Sequence, residues 1–234
     1  MKKKQQLLLL PNLLGDYPNH EVFLPSSVDR AVKKIDGLIA ESVTGGRRYL
    51  GRFFTPEEAR NIPIATMDEN IDFLLEPIIR GECWGVVSDA GLPCIADPGS
   101  KLVTKARSLG IQIQTFVGPS SIILGLMLSG FSGQKFTFNG YLEKDPQGRH
   151  DNIQMLEKRA HAEQSTQIFI ETPFRNMHLL ETLLDTLSEK TQLCVAWDLT
   201  LPTQGVLSQS VNIWKKSPLP NLKKRAAIFL IGSD

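Results

Sequence analysis

The residues best suited to chemistry lie in one segment, Ser88–Gly99, which reads SDAGLPCIADPG. Its two glycines let the backbone approach a ligand without an intervening Cβ, and its two prolines hold the surrounding amides and carbonyls in place. An ordinary turn between a strand and a helix does not require this combination. Because a rigid loop of exposed backbone groups suits a ligand with an adenosine part and an amino-acid part, we interpret the segment as a binding loop.

Two further segments join the end of a predicted strand to the start of a predicted helix. In Val117–Ile122, Ser120 is suited to cap the helix, and the amino end of that helix would also favour a carboxylate. In Ile168–Arg175, Glu171 and Arg175 are spaced to form a structural ion pair. A carboxylate at a strand end can instead face a cationic ligand or orient a substrate hydroxyl, so both interpretations stay open.

Composition and spacing disfavour several other kinds of site. The net charge is only +1, so a site for a polyanion must be a local patch. The cysteines and histidines show no metal-ligand spacing, so we predict no metal, with free thiols in a reducing cytoplasm. The segment Pro11–Asp16 matches neither the dinucleotide-binding nor the Walker pattern. The apolar run Leu7–Leu10, after the basic residues 2–4, is interpreted as a strand rather than a secretory signal, and we expect no membrane association.

Short apolar runs alternate with longer amphipathic runs as far as about residue 117. This rhythm predicts a parallel sheet with helices on both faces, and Trp84–Ser88 is typical of a strand that is buried on both sides. After Gly118 the predicted strands are longer and more antiparallel in character. We therefore predict two α/β domains, a parallel-sheet domain over residues 1–117 and a mixed-sheet domain over residues 118–234, with an active-site cleft between them.

The ends of several elements are also predicted. Ser26 or Ser27 is expected to cap the first helix, and Asp68 is expected to cap the helix Ile71–Arg80. Val206–Trp214 is expected to form one continuous strand. The stretch after the second predicted strand is assigned no element.

Five segments of the chain stand in the order and spacing typical of the tetrapyrrole methylase superfamily, the class III S-adenosylmethionine-dependent methyltransferases. They are Ser88–Gly99, Gly118–Ile122, Phe138–Leu142, Ile168–Arg175 and Val195–Thr200. The resemblance covers nearly the whole chain. The most similar branch methylates a ribose 2′-hydroxyl of small-subunit ribosomal RNA, and its marker motifs stand here as Ser88–Pro93, Gly140–Leu142 and Glu171–Arg175. The chain also resembles a shorter subgroup of that branch, described as corrin/porphyrin methyltransferases.

The resemblance implies that the chain binds S-adenosylmethionine as methyl donor and forms a homodimer. The donor contacts that it implies are Pro11, Asp89, Ala90, Gly91, Leu92, Ile95, Ala96, Ser120, Ser121, Glu171, Leu199, Ala226 and Ala227. By the resemblance, the methionine and ribose parts are held by Ala90, Gly91, Leu92, Ile95 and Ala96, and adenine is held by the backbone of Ala226 and Ala227. An oxygen acceptor would benefit from a general base, for which the candidates are Glu171, Asp198 and Tyr141.

The chain departs from the ribose-methylating branch at several motifs. The branch's TPxGNL motif is only partly matched by Pro11–Asp16, and its EDTR motif stands as Glu41–Thr44. Its RELTK motif stands as Trp197–Leu201 and has lost both cations. Porphyrinogen methylases carry GGDP where this chain has Ala90–Pro93, so their aspartate is missing too. The donor is therefore better supported than the acceptor.

Three functions stay open at this point. The first is a methyltransferase that acts on an RNA ribose or a related oxygen, the second is a methyltransferase for a tetrapyrrole or another small acceptor, and the third is a donor-binding module without catalysis. An RNA substrate requires cations near the site. The basic residues that could supply them can equally form a solvated basic face without a role in binding. The candidate cations are Arg47, Arg48, Arg52, Lys223, Lys224 and Arg225.

Overall fold

The structure is a computed structural model that describes residues 5–232 of the chain. The chain divides into two compact units, and the division lies between Ser120 and Ser121. The sequence placed the domain boundary slightly earlier, between Val117 and Gly118. The basic residues 2–4, which entered the interpretation of the first strand, lie outside the described residues.

The first unit contains a parallel five-stranded sheet. Its strands are β1 (Gln6–Leu9), β2 (Gly37–Ala40), β3 (Ile64–Thr66), β4 (Cys83–Val87) and β5 (Gln112–Thr115), in the spatial order β3-β2-β4-β1-β5. All neighbouring pairs are parallel, which confirms the prediction from the alternating pattern. Because every strand runs in the same direction, the loops that follow β1, β4 and β5 leave the sheet at one edge.

Helices cover both faces of this sheet. They are α1 (Ser26–Val32), α2 (Val43–Leu50), α3 (Pro56–Asn61), α4 (Ile71–Ile79) and α5 (Ser100–Ser108). Leu7 and Leu8 are neighbours in β1, yet they belong to different hydrophobic clusters. Side chains alternate between the faces of a strand, so an apolar cluster lies on each side of the sheet.

The ends of the helices required corrections. The helix α2 was not predicted, and it begins after Ser42, whose Oγ accepts a hydrogen bond from the backbone of Gly45. The predicted cap at Ser26 or Ser27 is wrong, because α1 begins at Ser26 and Pro25 occupies the cap position without a side-chain bond. The predicted cap at Asp68 is also wrong, because the side chain of Asn70 caps α4.

The second unit contains a mixed five-stranded sheet, as predicted. Its elements are α6 (Ser121–Ser129), β6 (Phe136–Tyr141), α7 (Pro146–Glu163), β7 (Thr166–Ile170), α8 (Asn176–Thr186), β8 (Gln192–Trp197), β9 (Gly205–Ser210), α9 (Val211–Trp214) and β10 (Ala227–Gly232). The strand order is β6-β7-β10-β8-β9. The pair β6–β7 is parallel, and the other three pairs are antiparallel.

The predicted strand Val206–Trp214 is wrong in its second half. The strand ends at Ser210, and Val211 and Trp214 lie on the short helix α9, both fully buried. Their spacing of three residues places both on one helix face, where they join the core of the second unit. The indole nitrogen of Trp214 donates a hydrogen bond of 2.8 Å to the carbonyl of Leu193 and fixes the helix on the sheet.

Candidate functional site

The first group of predicted donor residues lies on three loops at the carboxyl edge of the parallel sheet. We call them the β1 loop (Leu10–Asp16), the β4 loop (Ser88–Gly99) and the β5 loop (Phe116–Ser120). The strands β4, β1 and β5 are direct neighbours, so the structure brings these loops together. The predicted residues on them are Pro11, Asp89, Ala90, Gly91, Leu92, Ile95, Ala96 and Ser120.

The β1 and β4 loops are joined by backbone hydrogen bonds. The amide of Asn12 donates to the carbonyl of Gly91 at 2.7 Å, and the amide of Gly91 donates to the carbonyl of Leu13 at 3.3 Å. Gly91 has a φ of +71°, a backbone conformation that residues with a side chain rarely adopt. Both of its backbone polar groups are occupied within the protein, so Gly91 shapes the loop, while its predicted donor contact stays a prediction.

The β4 loop has an unusual backbone conformation. Besides Gly91, three residues in this loop have positive φ: Cys94 at 69°, Ala96 at 65° and Gly99 at 127°. Non-glycine residues in this region cost about 1–2 kcal/mol each, and such conformations concentrate at functional sites. Ala90 and Ala96 are exposed residues, and neither backbone amide has a hydrogen-bond partner among residues 5–232. The loop therefore presents backbone donors that a ligand could use.

The β5 loop packs directly on the β1 loop. A Cβ added to Gly118 would overlap the ring of Pro11. A Cβ added to Gly91 would lie 3.6 Å from the carbonyl oxygen of Pro119. All three loops thus lie close together, and the approach of Gly118 to Pro11 requires glycine.

Acidic side chains surround the β4 loop. Burial, together with the charges of Glu41 and Asp89 and against a hydrogen bond from Ser88, raises the pKa of Asp97 from 3.8 to about 6. The amide of Asp89 donates to the carboxylate of Glu41 at 2.8 Å, which ties the loop to the end of β2. Asp97 is therefore a carboxyl group whose charge changes close to neutral pH.

We expect Asp97→Asn to change the pH dependence of stability. In the folded state Asp97 keeps its proton up to about pH 6, whereas in the unfolded state it loses the proton above about pH 3.8. Protonated Asp97 therefore favours folding at low pH, and this contribution to stability is lost as the pH rises through 6. Asparagine cannot ionise, so the variant should gain stability relative to the wild type between pH 4 and 7. Urea denaturation at several pH values measures this, and a difference that does not vary with pH would contradict it.

The second group of predicted residues lies at one end of the mixed sheet. Because β10 pairs antiparallel with both β7 and β8, its start at Ala227 lies beside the ends of those two strands. The amide of Asp198 donates to the carbonyl of Ala226 at 2.9 Å. Glu171, Asp198, Leu199, Ala226 and Ala227 are thus brought together. Tyr141 ends β6 beside Ile170, the residue before Glu171, and is 56% exposed. Ser121 begins α6.

Both predicted carboxylates contact an arginine. Glu171 accepts hydrogen bonds of 2.6 Å from Arg175 and from the amide of Thr172, which confirms the structural ion pair. The Oδ2 atom of Asp198 accepts hydrogen bonds of 2.8 Å from Arg225 and from the hydroxyl of Thr203. These contacts use one oxygen of each carboxylate, Oε1 of Glu171 and Oδ2 of Asp198, and fix the orientation of both side chains.

Comparison with known proteins decides the family. Ribosomal RNA small subunit methyltransferase I of Xylella fastidiosa is 30% identical over 200 residues, which are 86% of this chain and 72% of the relative. The protein of the same name from Buchnera aphidicola is 31% identical over an alignment that covers 99% of this chain and 79% of the relative. The chain belongs to the ribosomal RNA small subunit methyltransferase I family. It is an enzyme of the methyltransferase class, as predicted.

Solved structures show that this methyltransferase has the fold expected from the resemblance. Diphthine synthase has a TM-score of 0.68 at 14% identity, covering 97% of this chain and 90% of that chain. Uroporphyrin-III-C-methyltransferase from Thermus thermophilus has a TM-score of 0.60 at 16% identity, covering 98% and 94%. At these identities the likeness shows the fold alone. No family model matches the chain.

Half of the six candidate cations of this methyltransferase have structural partners. Arg47 donates to the carbonyls of Ala59 and Ile62. Arg52 donates to Asn12, and Arg225 pairs with Asp198. The cations that remain exposed, with no side-chain partner among residues 5–232, are Arg48, Lys223 and Lys224.

Sequence reasoning missed Asn12, the side chain that connects the β1 and β4 loops. Its Nδ2 donates to the carbonyls of Ser88 at 2.9 Å and Asp89 at 3.0 Å. A single asparagine after a proline is an ordinary loop residue in sequence. Its near-complete burial, 4% exposed, becomes visible only when the sheet brings the two loops together.

Within residues 5–232, no helix has the length and apolar character that crossing a membrane requires. In the same part of the chain, no group of three or more histidine, cysteine or acidic side chains is placed to hold a metal ion.

Proposed function

We propose that this methyltransferase transfers the methyl group of S-adenosylmethionine to a ribose oxygen of ribosomal RNA. The observation that carries the proposal is the β4 loop, a strained loop at the carboxyl edge of a parallel sheet in which the amides of Ala90 and Ala96 have no partner among residues 5–232. The relatives of the chain are named as methyltransferases of small-subunit ribosomal RNA. Ligands of open α/β sheets bind at this edge, outside the carboxyl ends of the strands.

The groups on the β4 loop fit such a donor. The unpartnered amides of the exposed residues Ala90 and Ala96 are suited to the carboxylate and the ribose hydroxyls, which accept hydrogen bonds. The carboxylates of Glu41, Asp89 and Asp97 make the surroundings favourable for a cationic donor. Within the second unit, the roles of Ser121, Glu171, Leu199, Ala226 and Ala227 as donor contacts stay predictions.

The donor supplies a methyl group that is already electrophilic because it is bonded to a sulfonium. The protein therefore contributes mainly by holding donor and acceptor in line and by excluding water. A ribose hydroxyl has a high pKa, so a nearby base would help. Glu171, Asp198 and Tyr141 stay predictions for this role.

A methyl-transfer assay tests the function. Labelled S-adenosylmethionine is incubated with the protein and with small ribosomal subunits that lack their methyl groups, with deproteinised RNA, or with a porphyrinogen. We expect label in ribosomal RNA, at a ribose. Label only in the porphyrinogen would favour the tetrapyrrole alternative, and donor binding without transfer to any acceptor would favour the non-catalytic module.

Two exposed lysines are expected to contribute to RNA binding. Lys223 and Lys224 lie just before Ala226 and have no side-chain partner among the described residues. Replacing both with alanine should weaken RNA binding about tenfold at moderate salt. It should also reduce the steepness of the slope of log affinity against log salt concentration by about 1–2. The matched control is Lys215→Ala with Lys216→Ala, an exposed pair in the same unit. Equal losses in both double variants, measured by filter binding, would show that the effect is only one of net charge.

The homodimer and the cytoplasmic location also stay predictions. Three apolar side chains on one surface of α6 are exposed: Ile123 at 46%, Met127 at 73% and Leu128 at 39%. A helix that is apolar on all sides is typical of a buried position, which supports assembly with a second copy.

A further inference from the structure

The side chain of Asn12 uses all its hydrogen-bonding groups in the interior of the first unit. Its Nδ2 donates to the carbonyls of Ser88 and Asp89, at 2.9 and 3.0 Å. Its Oδ1 accepts from the amide of Leu13 at 2.9 Å and from Nη1 of Arg52 at 3.1 Å. A carboxamide has two donors and two acceptor sites, so none is left over.

These bonds determine which way the carboxamide faces. An arginine only donates hydrogen bonds and a carbonyl only accepts them. The oxygen of Asn12 must therefore face Arg52, and its nitrogen must face the carbonyls of the β4 loop. The side chain of Arg52 is itself only 15% exposed, so it holds the oxygen in a partly desolvated place where the hydrogen bond is strong.

The bonds of Asn12 concentrate at the start of the β4 loop. The side chain reaches carbonyls 76 and 77 positions away in sequence, and the backbone amide of Asn12 adds a bond to Gly91. The loop then continues into the residues with positive φ, which keep this conformation only if the surrounding structure holds them. Asn12 is the side chain that connects the strained loop to the neighbouring strand end.

We propose that Asn12 is a positioning residue that holds the β4 loop in its donor-binding conformation, and that Arg52 orients the carboxamide of Asn12 for this purpose. The inference rests on the proposed function, because it concerns binding of S-adenosylmethionine. The inference gives Arg52 a role in holding the donor loop, whereas the sequence suggested it as a candidate cation for RNA binding. A loop that is already ordered binds its ligand without a further cost of ordering, so the affinity for the donor depends on this network.

Two variants test the two parts of the network. Asn12→Asp keeps the size of the side chain but places a carboxylate oxygen against the carbonyls of Ser88 and Asp89, where the hydrogen bonds become repulsive contacts. Arg52→Met keeps an apolar stem and removes the guanidinium, a milder change that leaves the bonds to the β4 loop in place. The control is Thr55→Ala, which removes the capping box of α3 in the same unit and lowers stability without contact to the loop.

The experiment measures binding of S-adenosylhomocysteine by calorimetry, the melting temperature, and the kcat of methyl transfer at saturating donor. We expect the dissociation constant to rise about 10- to 100-fold for Asn12→Asp and about 3- to 10-fold for Arg52→Met, with kcat changed less than twofold. Thr55→Ala should lower the melting temperature and leave the dissociation constant unchanged.

Two outcomes would overturn the inference, and they differ. If the wild type and Arg52→Met bind the ligand equally well, the role of Arg52 falls; if a folded Asn12→Asp also binds it equally well, the network is only structural and the proposed function stands. If the wild type binds neither S-adenosylmethionine nor S-adenosylhomocysteine, the proposed function fails and the inference fails with it. Should Asn12→Asp not fold, the comparison between Arg52→Met and Thr55→Ala decides alone.

Discussion

Replacement of Gly91 with alanine is expected to weaken the binding of S-adenosylmethionine about 5- to 30-fold. Gly91 has a φ of +71°, which costs a non-glycine residue about 1–2 kcal/mol, and each 1.4 kcal/mol is a factor of ten in affinity. The added Cβ would also lie 3.3 Å from Cδ2 of Leu14, closer than an ordinary contact. The variant loop should relax to a negative φ, and donor binding must then restore the strained form. Isothermal titration calorimetry measures the loss.

The control for Gly91 is Gly110, at the turn after α5. Its φ is +72°, and an added Cβ would have no atom within 4 Å. Gly110→Ala therefore carries the same backbone strain in the same unit, away from the three loops. If both variants bind the donor with wild-type affinity, the β4 loop is not the donor site.

Replacement of Gly118 with alanine should impair both stability and donor binding. Its Cβ would overlap the ring of Pro11, and a proline ring cannot rotate away as a flexible side chain does. The β1 and β5 loops must then separate, at a cost of about 1–3 kcal/mol in the free energy of unfolding, typical of an overpacked core. Because Pro11 precedes Asn12, the displacement should reach the β4 loop and weaken donor binding about tenfold or more.

Gly133→Ala is the comparison for this second variant. Its added Cβ would meet no atom within 4 Å, and its φ lies outside the left-handed region. Chemical denaturation and calorimetry on the two variants separate a local overlap from a general effect of losing a glycine. Unchanged stability in Gly118→Ala would mean that the Pro11 contact is not as close as the structure shows.

The strands of the fold were predictable because their signal is local. Cys83–Val87 is apolar at nearly every position, which a parallel strand covered on both faces requires. The helix α2 was missed for the opposite reason. Its sequence, VTGGRRYL, contains two adjacent glycines, which are poor helix formers. Tertiary packing overrides that preference, because Tyr49 and Leu50 are fully buried and Gly46 lies against Ala40 and Ile64.

The candidate site was predictable to a similar extent. Glycines and prolines mark the β4 loop, and the order of strands in a parallel sheet brings Pro11 and Ser120 to the same edge. The side-chain connections could not be predicted in this way. Asn12 and Arg52 belong to different segments, 40 positions apart, and only the folded sheet brings them into contact with the loop. Composition gives no signal for such a connection.

The central claim is that the loops after β1 and β4 hold the methyl donor. A crystal structure of the protein grown with S-adenosylhomocysteine tests it most directly. We predict electron density for the ligand against the backbone of Ala90 and Ala96, next to Pro11. Density for the ligand at any other place on the protein, with this edge of the parallel sheet left free, would contradict the account.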